Sequence, residues 1–235
     1  MTSEEFERLA APHIEHEVAA NRLPRLVGKY RSMEQVSTFL KNPKMWFATF
    51  SEFNDPFEGK FHLHADAHTS PTEITAIKNH ITKHLNSYGV LCLTHNLDNI
   101  LMWGHYADKH RGAILVFDIT EDPRFFAAPI KVTYSFNYPT FTPRNYKEAL
   151  KAMAMKFMMW QHENEIRVLK PNCHGLRPVN KKALKKIIFG CKADAASIAR
   201  VTEELNTLAG YDHVQLQRAV MDKHAYRLEY VEISR

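Results

Sequence analysis

The sequence predicts an α+β fold, a mixed and largely antiparallel sheet with flanking helices. Three observations predict it. Helical and strand patterns follow one another irregularly along the 235 residues, without the regular strand–helix alternation of a doubly wound sheet. The last two apolar stretches, Val214 to Val220 and Ala225 to Ile233, both alternate and read as a hairpin-like pair. No glycine-rich strand-to-helix turn of the dinucleotide or P-loop kind is present.

The elements follow in order. Thr2-Ser-Glu-Glu5 has the capping-box pattern and opens a polar helix that breaks by Pro24. Arg25 to Arg31 is a strand. Ser32-Met-Glu-Gln35 is a second capping box, opening a helix to Leu40, which Asn42-Pro43 stops. Trp46 to Phe50 has the aromatic and β-branched residues of a half-buried strand, and Lys60 to Leu63 continues as another. Ser70-Pro71-Thr72-Glu73 starts a helix with Ile74, Ile77, Ile81 and Leu85 on one face, and Gly89 is placed to end it. Val90 to Thr94 is a strand, Asp98 to Lys109 a helix, and Gly112 to Ile119 a buried strand. Ile130 to Phe136 alternates as a strand, Tyr138 to Asn145 is irregular, and a Met-rich helix spans Tyr146 to Trp160. Glu163 to Leu169 is a strand, Pro171 to Pro178 a loop, Leu184 to Phe189 a strand, and Asp194 opens a helix to Leu208.

A hydrophobic share of 45% and a charged share of 24% are those of an ordinary globular protein, and the length suits one domain over residues 1–235. The formal charge of +5 admits an anionic partner, a nucleotide or a nucleic acid. Lys181, Lys182, Lys185 and Lys186 lie at helical spacing and read as a solvated helix face. Cys92, Cys173 and Cys191 form no CxxC pair, which points to reduced, inert thiols. No apolar run suits a signal segment or a membrane span. A cytoplasmic protein without a membrane partner is expected.

Four stretches carry chemistry. At Phe53-Asn54-Asp55-Pro56-Phe57-Glu58, aromatics bracket a polar turn that presents Asn54, Asp55 and Glu58. A binding site and a structural corner are both consistent with it. Glu163, Glu165 and Arg167 alternate along one strand and would share a face. That arrangement suits a hydroxyl-rich or cationic substrate, or a solvated edge. Tyr30-Arg31-Ser32 runs from a strand into a helix start, which suits either an arginine that forks onto a phosphate or an exposed arginine with Ser32 merely capping the helix. Trp103, His105 and Tyr106 crowd one helix as ligand walls or core. His62, His64, Asp66 and His68 invite a metal reading, but His68 stands one place late for the metallo-hydrolase string. No metal is expected.

Together, Lys29-Tyr30-Arg31-Ser32, the Trp46-Phe47 strand leading to Phe53-Asn54-Asp55-Pro56-Phe57-Glu58-Gly59, Met102-Trp103-Gly-His105-Tyr106-Ala107, His110-Arg-Gly112, Trp160 followed by Glu163-Asn-Glu165-Ile-Arg167, and Phe189-Gly190 resemble the bacterial "domain of unknown function 2971" family. That family label carries no established activity. The order of an early arginine, an aromatic strand bearing a hydroxyl and a late Glu-x-Glu strand is also similar to the ADP-ribosyltransferase pattern. That resemblance implies an ADP-ribosyltransferase-like fold with NAD as substrate, in a toxin or antiviral (phage) defence role. Arg31, with Tyr30 and Ser32 beside it, would hold the phosphates, and Thr49 would line the nicotinamide pocket. Glu165 would steady the ribose cation and Glu163 would assist the acceptor. Ala48-Thr49-Phe50-Ser51 departs from the family's Ser-Thr-Ser run. The competing classes are a non-catalytic nucleotide or nucleic-acid binding module and a metal-dependent hydrolase.

Overall fold

The computed structural model describes residues 1–64, 69–142 and 151–235. Two short helices, α1 (Ser3–Ala10) and α2 (His13–Ala19), lead into β1 (Leu26–Arg31) and α3 (Met33–Lys41). Then come β2 (Lys44–Phe47), β3 (His62–Leu63), α4 (Pro71–Asn86), β4 (Tyr88–Thr94), α5 (Ile100–Tyr106) and β5 (Ala113–Asp118). Four short strands follow, β6 (Pro129–Lys131), β7 (Thr133–Ser135), β8 (Thr140–Phe141) and β9 (Met155–Phe157). The chain closes with β10 (Glu165–Pro171), β11 (Gly175–Pro178), β12 (Leu184–Phe189), α6 (Ala195–Thr207), β13 (Gln215–Met221) and β14 (Leu228–Glu232). Capping boxes start α1, α3 and α4 at Thr2, Ser32 and Ser70, as their sequences predict.

Eight strands form one sheet in the order β14-β13-β12-β5-β1-β4-β10-β6. Its pairs are antiparallel except β12 with β13, so the fold is α+β with a mixed, mostly antiparallel sheet. One face buries Val27, Leu93, Leu115 and Ile166 against Val36 and Leu40 of α3 and Val201 and Leu205 of α6. On the other face, Trp103 of α5 packs with Tyr30, Ile114 and Ile188. Ile81 and Leu85 of α4 pack there with Val90 and Leu169.

The join between β1 and β4 creates the cleft. β1 pairs with β5 along its whole length, from Leu26 opposite Asp118 to Arg31 opposite Ala113. With β4 it makes a single register pair, Gly28 opposite Thr94, and beyond that pair the two strands part. The chain just past β2 takes up the pairing that β1 leaves, through Ala48 bridged to Val90. A wedge therefore opens between β1, β4 and β2.

Several local expectations are corrected. Gly89 lies inside β4 rather than ending α4, and a Cβ there would stand 1.3 Å from the Cys173 carbonyl oxygen. The Met-rich helix is absent from the described residues. Residues 143–150 lie outside them, residues 151–154 are 3-10 helix, and β9 is followed by a 3-10 stretch, Met158–Glu163. Pro171 to Pro178 contains β11, which pairs with β2. Lys185 and Lys186 lie on β12 rather than on a helix, because β5 and β13 pair with that strand on both sides. The Ile130 to Phe136 run is divided between β6 and β7, which belong to different sheets. The helix opening near Asp98 stops at Tyr106, where Asp108, Lys109 and His110 take left-handed backbone with φ of 46°, 54° and 70°. No helix among the described residues is long and apolar enough to cross a membrane.

Candidate functional site

The wedge opens into a cleft of about 870 Å³, and Arg31, Asn54, Glu58, His105, Tyr106, Glu163 and Glu165 all line it. These residues come from β1, the Asn54 turn, α5 and the entry to β10. The sheet therefore gathers residues separated by more than a hundred positions.

Its floor is a buried charge cluster. Glu58, Glu163 and Glu165 are 8%, 4% and 4% exposed, and Arg167 is fully buried. The Lys156 ammonium stands 3.1 Å from Glu58, 2.5 Å from Glu163 and 3.1 Å from Glu165. The Arg167 guanidinium donates from Nε to Glu165 Oε1 at 2.8 Å and from Nη2 to Glu58 Oε2 at 2.8 Å, while Nη1 donates to the Met153 carbonyl at 2.7 Å. It also faces the rings of Phe50 and Phe53 at 5.9 and 5.5 Å, a cation–π arrangement. The Tyr106 hydroxyl donates to Glu163 Oε1 at 2.6 Å. The Tyr134 hydroxyl accepts from the Glu165 backbone N–H at 2.8 Å.

Buried charges of this kind persist only when paired, and the pKa directions follow from the pairing. Burial pushes the Glu165 carboxyl up, but Arg167 and Lys156 outweigh it and leave the pKa at about 2. Burial likewise pushes Lys156 down, and the three carboxylates hold it well above the ordinary lysine range. Tyr106 is raised by burial and by its bond to Glu163. Three carboxylates face two cations, so by formal charge the cluster is net negative.

The other wall is cationic. Lys29 and Arg31 lie two apart on β1, both line the cleft, and both are half-buried. Lys29 Nζ donates to the Cys92 carbonyl at 2.6 Å. Among the described residues Lys29 has no ion-pair partner, and the Arg31 guanidinium has neither a hydrogen bond nor an ion pair. Burial, with Arg31 beside it, lowers Lys29 to about 8, and burial also lowers Arg31. Cys92, on the cleft lining, is raised by burial and by Glu165, which keeps it a thiol.

The structure places the remaining predicted residues elsewhere. Glu163 is not on the strand with Glu165 and Arg167. Asn164 takes left-handed backbone at φ 43° and turns the chain, and Glu163 reaches the same cluster from the preceding 3-10 stretch. Arg167 braces the floor from beneath rather than lining the cleft. Tyr30 is among the lining residues, but its ring packs edge-on against Trp103 and its hydroxyl donates to the Leu97 carbonyl at 3.2 Å. Trp103 is wholly buried core. Ser32 caps α3. Thr49 caps the 3-10 helix Phe50–Glu52 through Glu52 and is not among the residues that line the cleft. Asp55 closes its own turn by accepting from the Phe57 N–H at 2.9 Å. Phe57 is 61% exposed, so Phe53 and the Glu58–Arg167 pair anchor this turn.

Lys29 and Lys156 also line the cleft, and neither stands out as a site residue in the sequence analysis. Lys156 had a visible signal. It is the one charge within Ala152-Met-Ala-Met-Lys-Phe-Met-Met-Trp160, and a lone cation in an apolar run needs a buried carboxylate. Among the described residues no group of three or more His, Cys, Asp or Glu is placed to hold a metal ion, and the centre of the three carboxylates is filled by the Lys156 ammonium. Asp66 and His68 lie outside the described residues. Comparison of the chain with protein-family models, with curated proteins and with solved structures finds no match.

Proposed function

We propose that the cleft binds a phosphate-bearing ligand of the NAD class and acts on it by ADP-ribosyl transfer. One observation carries this reading: the unpaired Arg31 and Lys29 face the same cleft as a net-negative carboxylate cluster. Half-buried cations without partners are costly, and a phosphate supplies the missing charge and a forked acceptor for arginine. The carboxylates suit a ligand group that is, or becomes, positive, as the nicotinamide ring and the ribose cation of NAD are. In the step proposed, the glycosidic C–N bond breaks with its electron pair leaving on nicotinamide. The acceptor's nucleophile then bonds to the same carbon and loses its proton to Glu163. Glu165, held ionised, stabilises the ribose cation.

The test is calorimetric titration with NAD beside an assay of nicotinamide release. Arg31→Ala is expected to weaken NAD binding roughly tenfold or more, the scale of one charged hydrogen bond. Glu165→Gln is expected to spare binding and lower nicotinamide release about 10²-fold. A second reading, nucleotide binding without turnover, is favoured by the saturation of all three carboxylates by Lys156 and Arg167. It holds if NAD binds in an Arg31-dependent way and no nicotinamide is released.

A further inference from the structure

The cleft has an apolar wall that phosphate and carboxylate chemistry does not use. On β2, Met45 and Phe47 point into the core, which puts Trp46 on the opposite face of the strand, 45% exposed. Its cross-strand neighbour on β11 is Leu176, 52% exposed. Both line the cleft that contains Lys29 and Arg31. An exposed pair of large apolar side chains inside a cleft, rather than scattered on a surface, marks a contact surface.

The platform is also fixed in place. The His174 ring meets the Trp46 ring at 5.0 Å and 80°, and Glu52 holds His174 Nε2 at 3.0 Å. Gly175 has φ 97°, a left-handed backbone that suits glycine, between His174 and Leu176. At the rim, Asn42 lines the same cleft, and its side-chain amide has no hydrogen-bond partner among the described residues. An exposed indole and an amide with no hydrogen-bond partner on the lining of one cleft fit a planar heterocycle. The indole offers a face for stacking, and an asparagine amide pairs with the N6 and N7 edge of adenine.

We propose that Trp46, with Leu176 beside it and His174 against its ring, is the stacking platform for a purine base of the cleft's ligand, with Asn42 at the base edge. The ligand class is thereby a purine nucleotide, adenine before guanine. This deepens the proposed function and rests on it for the phosphate at Arg31.

The experiment titrates AMP, adenosine and ribose 5-phosphate into the protein, reading heat and tryptophan fluorescence. The variants are Trp46→Leu, Asn42→Ala and Arg31→Ala, each first checked by thermal melting. AMP is expected to bind roughly tenfold or more tighter than ribose 5-phosphate and to quench fluorescence, the scale of one base–aromatic stack. Trp46→Leu should remove the quench and that tenfold gain while leaving ribose 5-phosphate affinity unchanged. Asn42→Ala should narrow the preference for AMP over GMP, and an unchanged ratio overturns the edge role. Equal binding of AMP and ribose 5-phosphate, or an AMP affinity untouched by Trp46→Leu, overturns the platform while Arg31-dependent phosphate binding stands. Adenosine binding that needs Trp46, with AMP affinity indifferent to Arg31→Ala, supports the platform and overturns the phosphate reading. No binding of AMP or adenosine overturns both.

Discussion

Arg167 shows how one side chain sets the chemistry of the whole cleft. It is fully buried, it holds Glu58 and Glu165, and through Glu58 it ties the Asn54 turn to β10. Arg167→Met is expected to destabilise the protein by about 3–5 kcal/mol, the cost of leaving buried carboxylates unpaired, as measured by urea unfolding. Glu165 has a folded-state pKa of about 2 against an ordinary 4.5. Its contribution to stability is therefore complete above 4.5 and is lost as the pH falls from there toward 2. Urea midpoints across that window should fall less steeply in Glu165→Gln than in wild type. Lys29 has the opposite consequence. Its pKa drops from 10.5 to about 8, so the burial of its charge costs stability below about 8. That cost is relieved as the pH rises from 8 toward 10.5. A bound phosphate would remove the same cost without a change of pH.

Among the elements, β4 carries the tightest constraint. Tyr88 to Thr94 pairs with β10 along its length, and Gly89 packs against the backbone at Cys173, just beyond the end of β10. Gly89→Ala is expected to cost about 3 kcal/mol, the upper part of the range for overpacking, and a thermal melt of the variant measures it. The capping boxes at Thr2, Ser32 and Ser70 were legible because a cap is a local contract between residues three apart. Gly89 was misread for the same reason. Glycine after a helix resembles a stop signal, and only the chain passing at Cys173 reveals why a side chain is excluded. The Met-rich run misled in another way. Its apolar residues suit a helix, but Met155 to Phe157 pairs with Thr133 to Ser135, partners that local pattern cannot show.

For the whole molecule, the decisive feature is the parting of β1 from β4 after Gly28 and Thr94. It brings cations, carboxylates and an exposed indole to the walls of one cleft. A ligand that bridges these walls binds only the folded state. NAD at a hundred times its dissociation constant should therefore stabilise the wild type by about 2.7 kcal/mol. A thermal-shift titration checks this, and at the same NAD concentration Arg31→Ala should show a markedly smaller shift. Equal shifts in both proteins would place the ligand elsewhere.

The strand at residues 26–31, the helix starts at Thr2, Ser32, Ser70 and Asp194 and the closing hairpin of β13 and β14 were determined by sequence alone. Their signals are short-range periodicity, capping and turn chemistry, which act within a few residues. The grouping of Arg31, Glu58, Glu163 and Glu165 was legible as a list of polar residues mounted on apolar strands. What only the tertiary structure decided is which of them are free to meet a ligand. Arg167, Lys156 and the Asn164 turn consume or redirect the carboxylates, whereas Lys29 and Arg31 remain unpaired. Whether a charge is paired depends on what lies within about 4 Å of it in space, and here those neighbours are brought together by sheet order and by the gap between two strands.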